Sequence, residues 1–409
     1  MNLSLLHPTA VLQGHVNITG SKSESNRLLI LQNLFPEIEV TNLSNADDVK
    51  AMVAALSHQE QIKDIHHAGT TMRFLTAYYA TKEGEKVTLT GSSRMQQRPI
   101  GILVDALRQL GASISYTKKE GYPPLHIEGK KITTSKVRLP ASVSSQYISA
   151  LLLIAPRLEK GLEILLEGRI TSLPYIKMTL ALLEKLGVSV ELNDQSIKVE
   201  PLKQAINRQT LVVESDWSSA SYYYSMVALA KEAKVHLSSY RKESLQGDAV
   251  LVELYRELGV DTTHTKDGIQ LEKIKGFTPP DKVAFDLVNC PDLAQTVAVT
   301  CAGLGVGCDL TGLHTLKIKE TDRLLALKNE LTKLGAQLDV TEDSLYLEKN
   351  GSLLANQSIA TYQDHRMALA FAPIALRVPI AIEEADVVSK SYPDFWTDLE
   401  ALDFHCSKM

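Results

Sequence analysis

The sequence predicts a mixed α/β fold in which one strand–helix–strand–helix–strand unit recurs about six times along 409 residues. Two observations lead to this prediction: two kinds of helix alternate along the chain, and helices of one kind end at regular intervals. Gly111, Gly187, Gly259 and Gly335 lie 76, 72 and 76 residues apart. A regular period of this kind indicates an internal structural repeat. No GxGxxG or P-loop pattern follows the first predicted strand, so a doubly wound nucleotide-binding fold is not indicated.

The first kind of helix is apolar on nearly every face, which is typical of a buried helix. Each one begins at a cluster of small, polar or charged residues, such as Ser-Lys-Ser-Glu-Ser-Asn-Arg at residues 21–27. The six predicted helices of this kind span 25–35, 70–80, 145–155, 218–230, 292–304 and 366–376.

The second kind of helix is amphipathic and closes on a leucine, often followed by glycine. A glycine suits the left-handed position that follows a helix end. Short alternating strands follow several of these helices, as at 112–116 and 188–192. The six segments of this kind are 47–56, 103–111, 180–187, 251–259, 327–335 and 395–402.

Composition describes an ordinary globular chain and excludes several classes of protein. The net charge of −5 and the pI of about 6.1 argue against a nucleic-acid-binding surface. No apolar run is long enough to span a bilayer, and the first residues lack a signal-peptide pattern. We therefore expect a cytoplasmic protein with neither nucleic acid nor membrane as a partner. The four cysteines show no CxxC spacing, so no metal site and no disulfide framework are predicted.

The stretch from Gly20 to Arg27 reads as a strand, a tight turn and a helix start. Ser21 or Ser23 can cap that helix, and Lys22 and Arg27 flank an N-terminus whose free N–H groups favour anions. Similar polar clusters open the other apolar helices, so convergent helix starts would form a site for small, multiply charged anions. The cations in or near these clusters are Lys22, Arg27, Arg73, Arg94, Lys319, Arg323, Arg366 and Lys390.

Carboxylates accompany these cations. Asp292 begins an apolar helix, and Glu320 follows Lys319 directly. A carboxylate among cations can act as a base, although for Asp292 helix capping is an equal alternative. Asp322 reads as structural.

Asp364 and His365 read either as a helix cap beside a core histidine or as a ligand contact. Ser144, Ser145 and Gln146 offer hydroxyls and an amide at another helix start, which suits sugar-like hydroxyls or phosphate oxygens. Tyr175 either adds a phenol hydroxyl to the site or packs in the core.

Taken in order, these motifs resemble the 5-enolpyruvylshikimate-3-phosphate (EPSP) synthase family. The resemblance runs almost end to end through GSKSESNR, ADDV, AGTTMR, GSSRMQQRPI, SVSSQYISALL, SLPYI, DWSSASY, QGD, PDLAQT, KIKETDR, DHRMALA and SKSYPDFW. It implies a two-domain inside-out α/β barrel of six βαβαββ repeats, three per domain. The implied domains are residues 20–214, and residues 1–19 with 215–409, with the active site in the cleft between them.

The resemblance also implies transfer of the carboxyvinyl group of phosphoenolpyruvate to the 5-hydroxyl of 3-phosphoshikimate, without a cofactor or metal. Asp292 and Glu320 are the implied acid–base pair, assisted by Lys22. Residues implied to bind 3-phosphoshikimate are Lys22, Ser23, Arg27, Ser144, Ser145, Gln146, Ser172, Tyr175, Asp292, Thr315 and Lys319. Residues implied to bind phosphoenolpyruvate are Lys22, Gly69, Arg94, Gln146, Arg323, Arg366 and Lys390.

The sequence departs from the common family pattern at Thr19, His67, Phe74 and Thr315. Gly69 matches members that are sensitive to the inhibitor glyphosate.

Two alternatives are a UDP-N-acetylglucosamine enolpyruvyl transferase and a non-catalytic anion-binding relative. The first typically carries a catalytic cysteine in its first half, whereas the earliest cysteine here is Cys290. We expect a monomer that binds only its two small-molecule substrates.

Overall fold

The computed structural model describes residues 1–140, 144–168 and 173–409. The described chain divides into two compact units. One unit is Gly20–Val213, and the other joins Met1–Thr19 to Glu214–Met409. The chain thus begins in one unit, builds the other and then returns.

The described residues contain both kinds of helix that the sequence predicts. The helices are α1 (Lys22–Leu34), α2 (Asp47–Ser57), α3 (Gly69–Thr81), α4 (Gly101–Gln109), α5 (Ser145–Ile154), α6 (Leu173–Lys185), α7 (Trp217–Leu229), α8 (Leu251–Arg256), α9 (Ala294–Leu304), α10 (Arg323–Lys333), α11 (His365–Phe371) and α12 (Phe395–Glu400).

Short strands alternate with these helices. The strands are β1 (Leu3–Leu6), β2 (Val11–Val16), β3 (Ile38–Thr41), β4 (Ile62–Asp64), β5 (Lys86–Thr90), β6 (Ser113–Tyr116), β7 (Leu125–Glu128), β8 (Lys136–Pro140), β9 (Leu162–Glu167), β10 (Val190–Asn193), β11 (Ser196–Val199), β12 (Gln209–Val212), β13 (Glu232–Ser238), β14 (Val260–His264), β15 (Gly268–Lys273), β16 (Lys282–Asp286), β17 (Gly307–Thr311), β18 (Leu338–Val340), β19 (Leu345–Leu347), β20 (Gln357–Ile359), β21 (Ile380–Ile382) and β22 (His405–Lys408).

In the unit formed by Gly20–Val213, the βαβαββ repeat occurs twice in full. The first full repeat builds a sheet of order β4-β5-β7-β6, and the second builds β8-β9-β11-β10. In each sheet the first two strands are parallel, with a buried helix between them in the chain. The last two strands form an antiparallel hairpin.

The unit that carries both termini has three sheets of the same pattern: β2-β13-β15-β14, β16-β17-β19-β18 and β20-β21-β1-β22. In the last sheet, the N-terminal strand β1 lies between β21 and β22 and is antiparallel to both. This repeat is therefore completed by strands from opposite ends of the chain.

One of the six repeats lacks its closing hairpin within the described residues. Among the described residues, the sheet of α1 and α2 contains only the parallel strands β3 and β12. The reason is chain length: only residues 58–61 separate the end of α2 from the start of β4. Four residues cannot form a two-stranded hairpin.

The predicted burial pattern is confirmed. In α3 the side chains of Met72, Phe74 and Leu75 are buried, and α7 buries three consecutive tyrosines at 222–224. The helix-ending glycines adopt positive φ as predicted, for example 102° at Gly111. Within the described residues, none of the helices is long and apolar enough to cross a membrane.

Candidate active site

In the unit that carries both termini, a buried arginine joins three carboxylates. Arg323 opens α10, and its Nη1 donates to Asp292 Oδ1 at 2.8 Å. Its Nη2 donates to Glu320 Oε2 at 2.9 Å, and its Nε donates to Asp364 Oδ2 at 2.6 Å. Burial opposes the charge of Arg323, but Asp364, Glu320 and Asp292 together raise its pKa above the ordinary value. The guanidinium is therefore a permanent positive charge that fixes the positions of the three acids.

A second arginine holds Asp292 from another helix. Arg366, in the first turn of α11, donates from Nη2 to Asp292 Oδ2 at 3.2 Å and from Nη1 to the Asp292 carbonyl at 3.1 Å. Lys319 Nζ lies 3.7 Å from Asp292 Oδ1. The N-cap residue of α9 is Leu293 rather than Asp292. The structure therefore decides between the two interpretations of Asp292: it faces the cations and does not cap the helix.

Asp364 is the cap that the sequence suggested, and it has a second role. Its side chain accepts a hydrogen bond from the backbone N–H of Arg366 at 2.9 Å while it also accepts from Arg323. His365 is buried beside it, with Nδ1 3.6 Å from Asp364 Oδ1. Asp322 caps α10 by accepting from Leu325 N at 3.1 Å, which confirms its structural role.

The structure adds two residues that the sequence analysis quoted in motifs but gave no role. Ser218, in the first turn of α7, accepts from Arg366 Nη2 at 3.3 Å and donates to Asp248 Oδ2. Burial raises the pKa of Asp248 to about 6, and the nearby Asp292 adds to the shift while Arg366 opposes it. The Gln-Gly-Asp triplet was visible in the sequence, but only the fold brings Asp248 to Arg366 through Ser218.

The remaining predicted residues of this unit lie at turns. Glu320 and Lys319 are partly exposed just before α10. Thr315 lies in a one-turn helix, and its buried Oγ1 has no hydrogen-bond partner within the described residues. Lys390 Nζ donates to the backbone carbonyl of Gln363 at 2.9 Å.

In the unit formed by Gly20–Val213, Arg27 is buried, and its hydrogen-bond acceptors are neutral groups. Its Nε donates to Thr179 Oγ1 at 2.8 Å and its Nη2 to Ser149 Oγ at 3.0 Å. The backbone carbonyls of Ser23 and Tyr175 accept from Nη1 and Nη2 at 2.8 and 3.2 Å. Burial lowers the pKa of Arg27 to about 10, against the raising effect of Tyr175 and Glu24. Arg27 thus remains charged at neutral pH and uses four of its five N–H donors inside the protein.

Lys22 is the first residue of α1, and its Nζ lies 4.0 Å from Asp48 Oδ2. Ser21 occupies the N-cap position, but its side chain makes no capping hydrogen bond. Of the two predicted caps, Ser21 or Ser23, Ser21 thus holds the N-cap position without the predicted side-chain hydrogen bond. Ser23, in the first turn of α1, is partly buried.

The start of α5 is linked to the start of α3 through Gln146. Ser144 caps α5, with its Oγ accepting from Gln146 N at 3.4 Å, and Ser145 is buried behind it. The side-chain amide of Gln146 donates to Thr70 Oγ1 at 3.1 Å. The predicted residue Ser172 lies outside the described residues.

Gly69 is the first residue of α3, and the guanidinium of Arg98 lies over it. A Cβ atom at Gly69 would lie 2.6 Å from Nη1 of Arg98. The predicted residue Arg94 is exposed at the start of a one-turn helix, Met95–Gln97. Arg94 and Arg98 stand four residues apart, and the fold places Arg98 at Gly69.

Cys290 does not offer a ready nucleophile. Burial, together with nearby acids such as Asp248, raises the pKa of its thiol well above the ordinary value. The thiolate is the nucleophilic form of cysteine, so this thiol is poorly suited to nucleophilic catalysis.

Two units of repeated βαβαββ topology, with polar residues at the starts of buried helices, define a fold that solved enolpyruvyl transferases share. An EPSP synthase structure from Acinetobacter baumannii superposes with a TM-score of 0.79 at 22% identity, covering 100% of both chains. The enolpyruvyl transferase NikO from Streptomyces tendae gives 0.73 at 13% identity, covering 100% of this chain and 99% of that one. These likenesses confirm the predicted mixed α/β fold.

Sequence comparison then identifies the family. The family model for EPSP synthase (3-phosphoshikimate 1-carboxyvinyltransferase) matches residues 54–399. A 3-phosphoshikimate 1-carboxyvinyltransferase of Bacteroides fragilis (strain YCH46) is 48% identical over 406 residues, or 98% of each chain. One from Histophilus somni is 36% identical over 97% of this chain and 98% of its own. The chain belongs to the EPSP synthase family, so the predicted family is confirmed and the UDP-N-acetylglucosamine alternative is not favoured.

Proposed function

We propose that the protein transfers the carboxyvinyl group of phosphoenolpyruvate to the 5-hydroxyl of 3-phosphoshikimate. The products are 5-enolpyruvylshikimate 3-phosphate and phosphate, on the shikimate pathway to chorismate and the aromatic amino acids. The observation that carries the proposal is the cluster at Asp292, where two arginines from different helices hold one carboxylate. Glu320 is bound to the same Arg323. Family membership supplies the substrates.

The reaction requires both acid–base groups and cations. The 5-hydroxyl oxygen forms a bond to C2 of phosphoenolpyruvate, and the bond between C2 and the phosphate oxygen breaks. C3 of phosphoenolpyruvate gains a proton when the hydroxyl oxygen adds to C2, and it loses a proton when phosphate leaves. Over the whole reaction, the proton of the 5-hydroxyl ends on the released phosphate. Positioned carboxylates suit these proton transfers, and cations stabilise the departing phosphate.

The residue assignments of the sequence analysis are part of this proposal. Asp292 and Glu320 act as the acid–base pair with help from Lys22. The guanidinium groups of Arg323 and Arg366 bind anionic oxygens of phosphoenolpyruvate, because arginine forks suit carboxylate and phosphate. We add Arg98 to this set, since its guanidinium lies at Gly69, a residue already assigned to that substrate.

We propose two domains, residues 20–214 and residues 1–19 with 215–409. Each domain contributes substrate-binding residues to the assignment. We further propose a cytoplasmic monomer whose partners are the two substrates alone.

Phosphate release tests the proposal most directly. The full chain should release phosphate only when 3-phosphoshikimate and phosphoenolpyruvate are both present, and one enol ether should form per phosphate. Binding of both substrates without release would identify a non-catalytic relative. Release that depends on UDP-N-acetylglucosamine instead would support the rival transferase. Asp292→Asn provides the inactive control.

A further inference from the structure

Two histidines on the unit that carries both termini face each other across neighbouring strands. His15 in β2 pairs in register with His236 in β13. Their Nδ1 atoms are 3.0 Å apart. The ring centroids are 4.5 Å apart and the ring planes differ by 26°. His15 is exposed and His236 is partly exposed, so a small ion can reach the pair from solvent.

The other nitrogen of each ring faces an oxygen. His15 Nε2 lies 3.0 Å from Asn17 Oδ1, which also accepts from Ser238 Oγ at 2.6 Å. His236 Nε2 lies 3.2 Å from Thr265 Oγ1 and 3.3 Å from an oxygen of Asp267.

The hydrogen bonds around Thr265 fix the direction of donation. Thr265 donates its hydroxyl proton to Asp267 Oδ1 at 3.0 Å, so its oxygen is left to accept from His236. Both Nε2 atoms thus carry the hydrogen, because each faces an acceptor. This arrangement is the usual support for a histidine that binds a metal through its other nitrogen.

The consequence is that both Nδ1 atoms present lone pairs to each other. Two lone pairs at this distance repel unless a cation lies between them. Metal–nitrogen bonds of about 2.0–2.1 Å, as for zinc, would span the gap with an angle of roughly 90–100° at the metal. That angle suits neighbouring positions of a square-planar or tetragonal ion better than a tetrahedral one.

We propose that His15 and His236 form a two-histidine site for a divalent transition metal with tetragonal preference, Cu²⁺ above all. Imidazole is a good ligand for copper, and Cu²⁺ binds most tightly among the first-row divalent ions. Solvent molecules complete the coordination, because no group of three or more metal-binding side chains occurs within the described residues. The site uses none of the residues assigned to substrate.

Titration of the full chain with Cu²⁺ alone at pH 7.5 tests the site, followed by calorimetry and electron paramagnetic resonance. We expect one site per chain with a tetragonal spectrum that shows nitrogen ligands. His15→Ala and His236→Ala should each weaken Cu²⁺ binding at this site at least about tenfold, since each removes one of two ligands. His58→Ala, an exposed histidine of the other unit, serves as the matched control and should leave binding unchanged.

Two results would overturn the proposal. One is the absence of saturable Cu²⁺ binding by the wild-type chain, which would mean that a proton alone bridges the pair. The other is equal Cu²⁺ affinity in the wild type and in both alanine variants. Melting temperatures measured without metal show whether each variant is folded, so that a loss of binding can be attributed to the lost ligand.

Discussion

Two buried arginines, one in each unit, lie in opposite electrostatic surroundings. Arg323 contacts three carboxylates, and they raise its pKa in spite of its burial. Arg27 contacts hydroxyls, backbone carbonyls and the rings of Phe74 and Tyr175, and burial lowers its pKa to about 10. Within the described chain, no carboxylate forms a salt bridge with Arg27. The same residue type thus serves as the centre of a compensated cluster in one unit and as a nearly uncompensated charge in the other.

The different surroundings of Arg323 and Arg27 suit two different functions. The cluster around Arg323 holds acids in fixed positions, which suits proton transfer. The surroundings of Arg27 leave its positive charge to act on its neighbourhood, which suits the attraction of a dianionic phosphate. Both effects are stronger in a buried site than at the surface, because interactions between buried charges are screened less by salt and water.

The largest expected effect is on turnover, at the compensated cluster. Asp292→Asn should lower kcat by about 10²–10⁴-fold, the usual contribution of a positioned acid or base. The amide keeps the shape of the side chain but cannot accept a proton. Steady-state phosphate release measures the loss. Asp322→Asn is the matched control, since asparagine caps a helix as well as aspartate does. Near-normal turnover in a folded Asp292→Asn variant would remove Asp292 from the mechanism.

The comparison of the two arginines predicts unequal losses of stability. Arg323→Met removes the cation that joins Asp292, Glu320 and Asp364, and it should cost about 3–5 kcal/mol in the free energy of unfolding. Asp292 keeps Arg366 and Lys319 as partners, so Asp364 and Glu320 carry most of this loss. Arg27→Met leaves neutral hydroxyls and carbonyls, so it should cost only about 1–3 kcal/mol. Urea denaturation of both variants checks this order. Equal losses would show that the carboxylates do not depend on Arg323 for their burial.

The two arginines of the Arg94–Arg98 segment should differ in substrate affinity. Arg98→Lys removes the guanidinium fork at Gly69 and should raise the KM for phosphoenolpyruvate about 10- to 100-fold, as for hydrogen bonds to charged groups. Arg94→Lys changes an exposed side chain and should raise that KM by a smaller factor. Initial rates against varied phosphoenolpyruvate distinguish them. The reverse order would make Arg94, and not Arg98, the more important of the two ligands.

The sequence predicted the fold wherever the signal is local. The apolar faces predicted the buried helices. The glycine of each Leu-Gly pair predicted where an amphipathic helix ends, as at Gly187 and Gly335. The missing hairpin of the first repeat and the insertion of β1 between β21 and β22 were not predicted. The insertion of β1 depends on pairing between distant segments, which leaves no periodic pattern in either segment. The hairpin is missing because only four residues separate α2 from β4, and the helix pattern does not show where β4 begins.

The candidate site shows the same limit. The motifs predicted Asp292, Glu320 and Arg323, and the structure brings these three residues together. The positions of Arg98 and Asp248 were not predicted, because they depend on where a turn directs each side chain. Arg94 and Arg98 flank a single helical turn, so sequence position alone does not decide which one faces Gly69.

The smallest expected effect concerns Gly69, and it follows from the contact with Arg98. An added methyl group would lie 2.6 Å from Nη1 of Arg98, so the guanidinium must move. Gly69→Ala should therefore weaken both phosphoenolpyruvate and glyphosate. The longer inhibitor needs more of this space, so it should lose roughly 1 kcal/mol more than the substrate, or about fivefold. Inhibition against varied phosphoenolpyruvate measures both losses. If the methyl group acts through Arg98, the extra loss of inhibitor affinity should disappear when Gly69→Ala is combined with Arg98→Lys. The reason is that lysine has no guanidinium group and can move away from the added methyl group. A difference that persists in the double variant would mean that the methyl group meets the inhibitor directly.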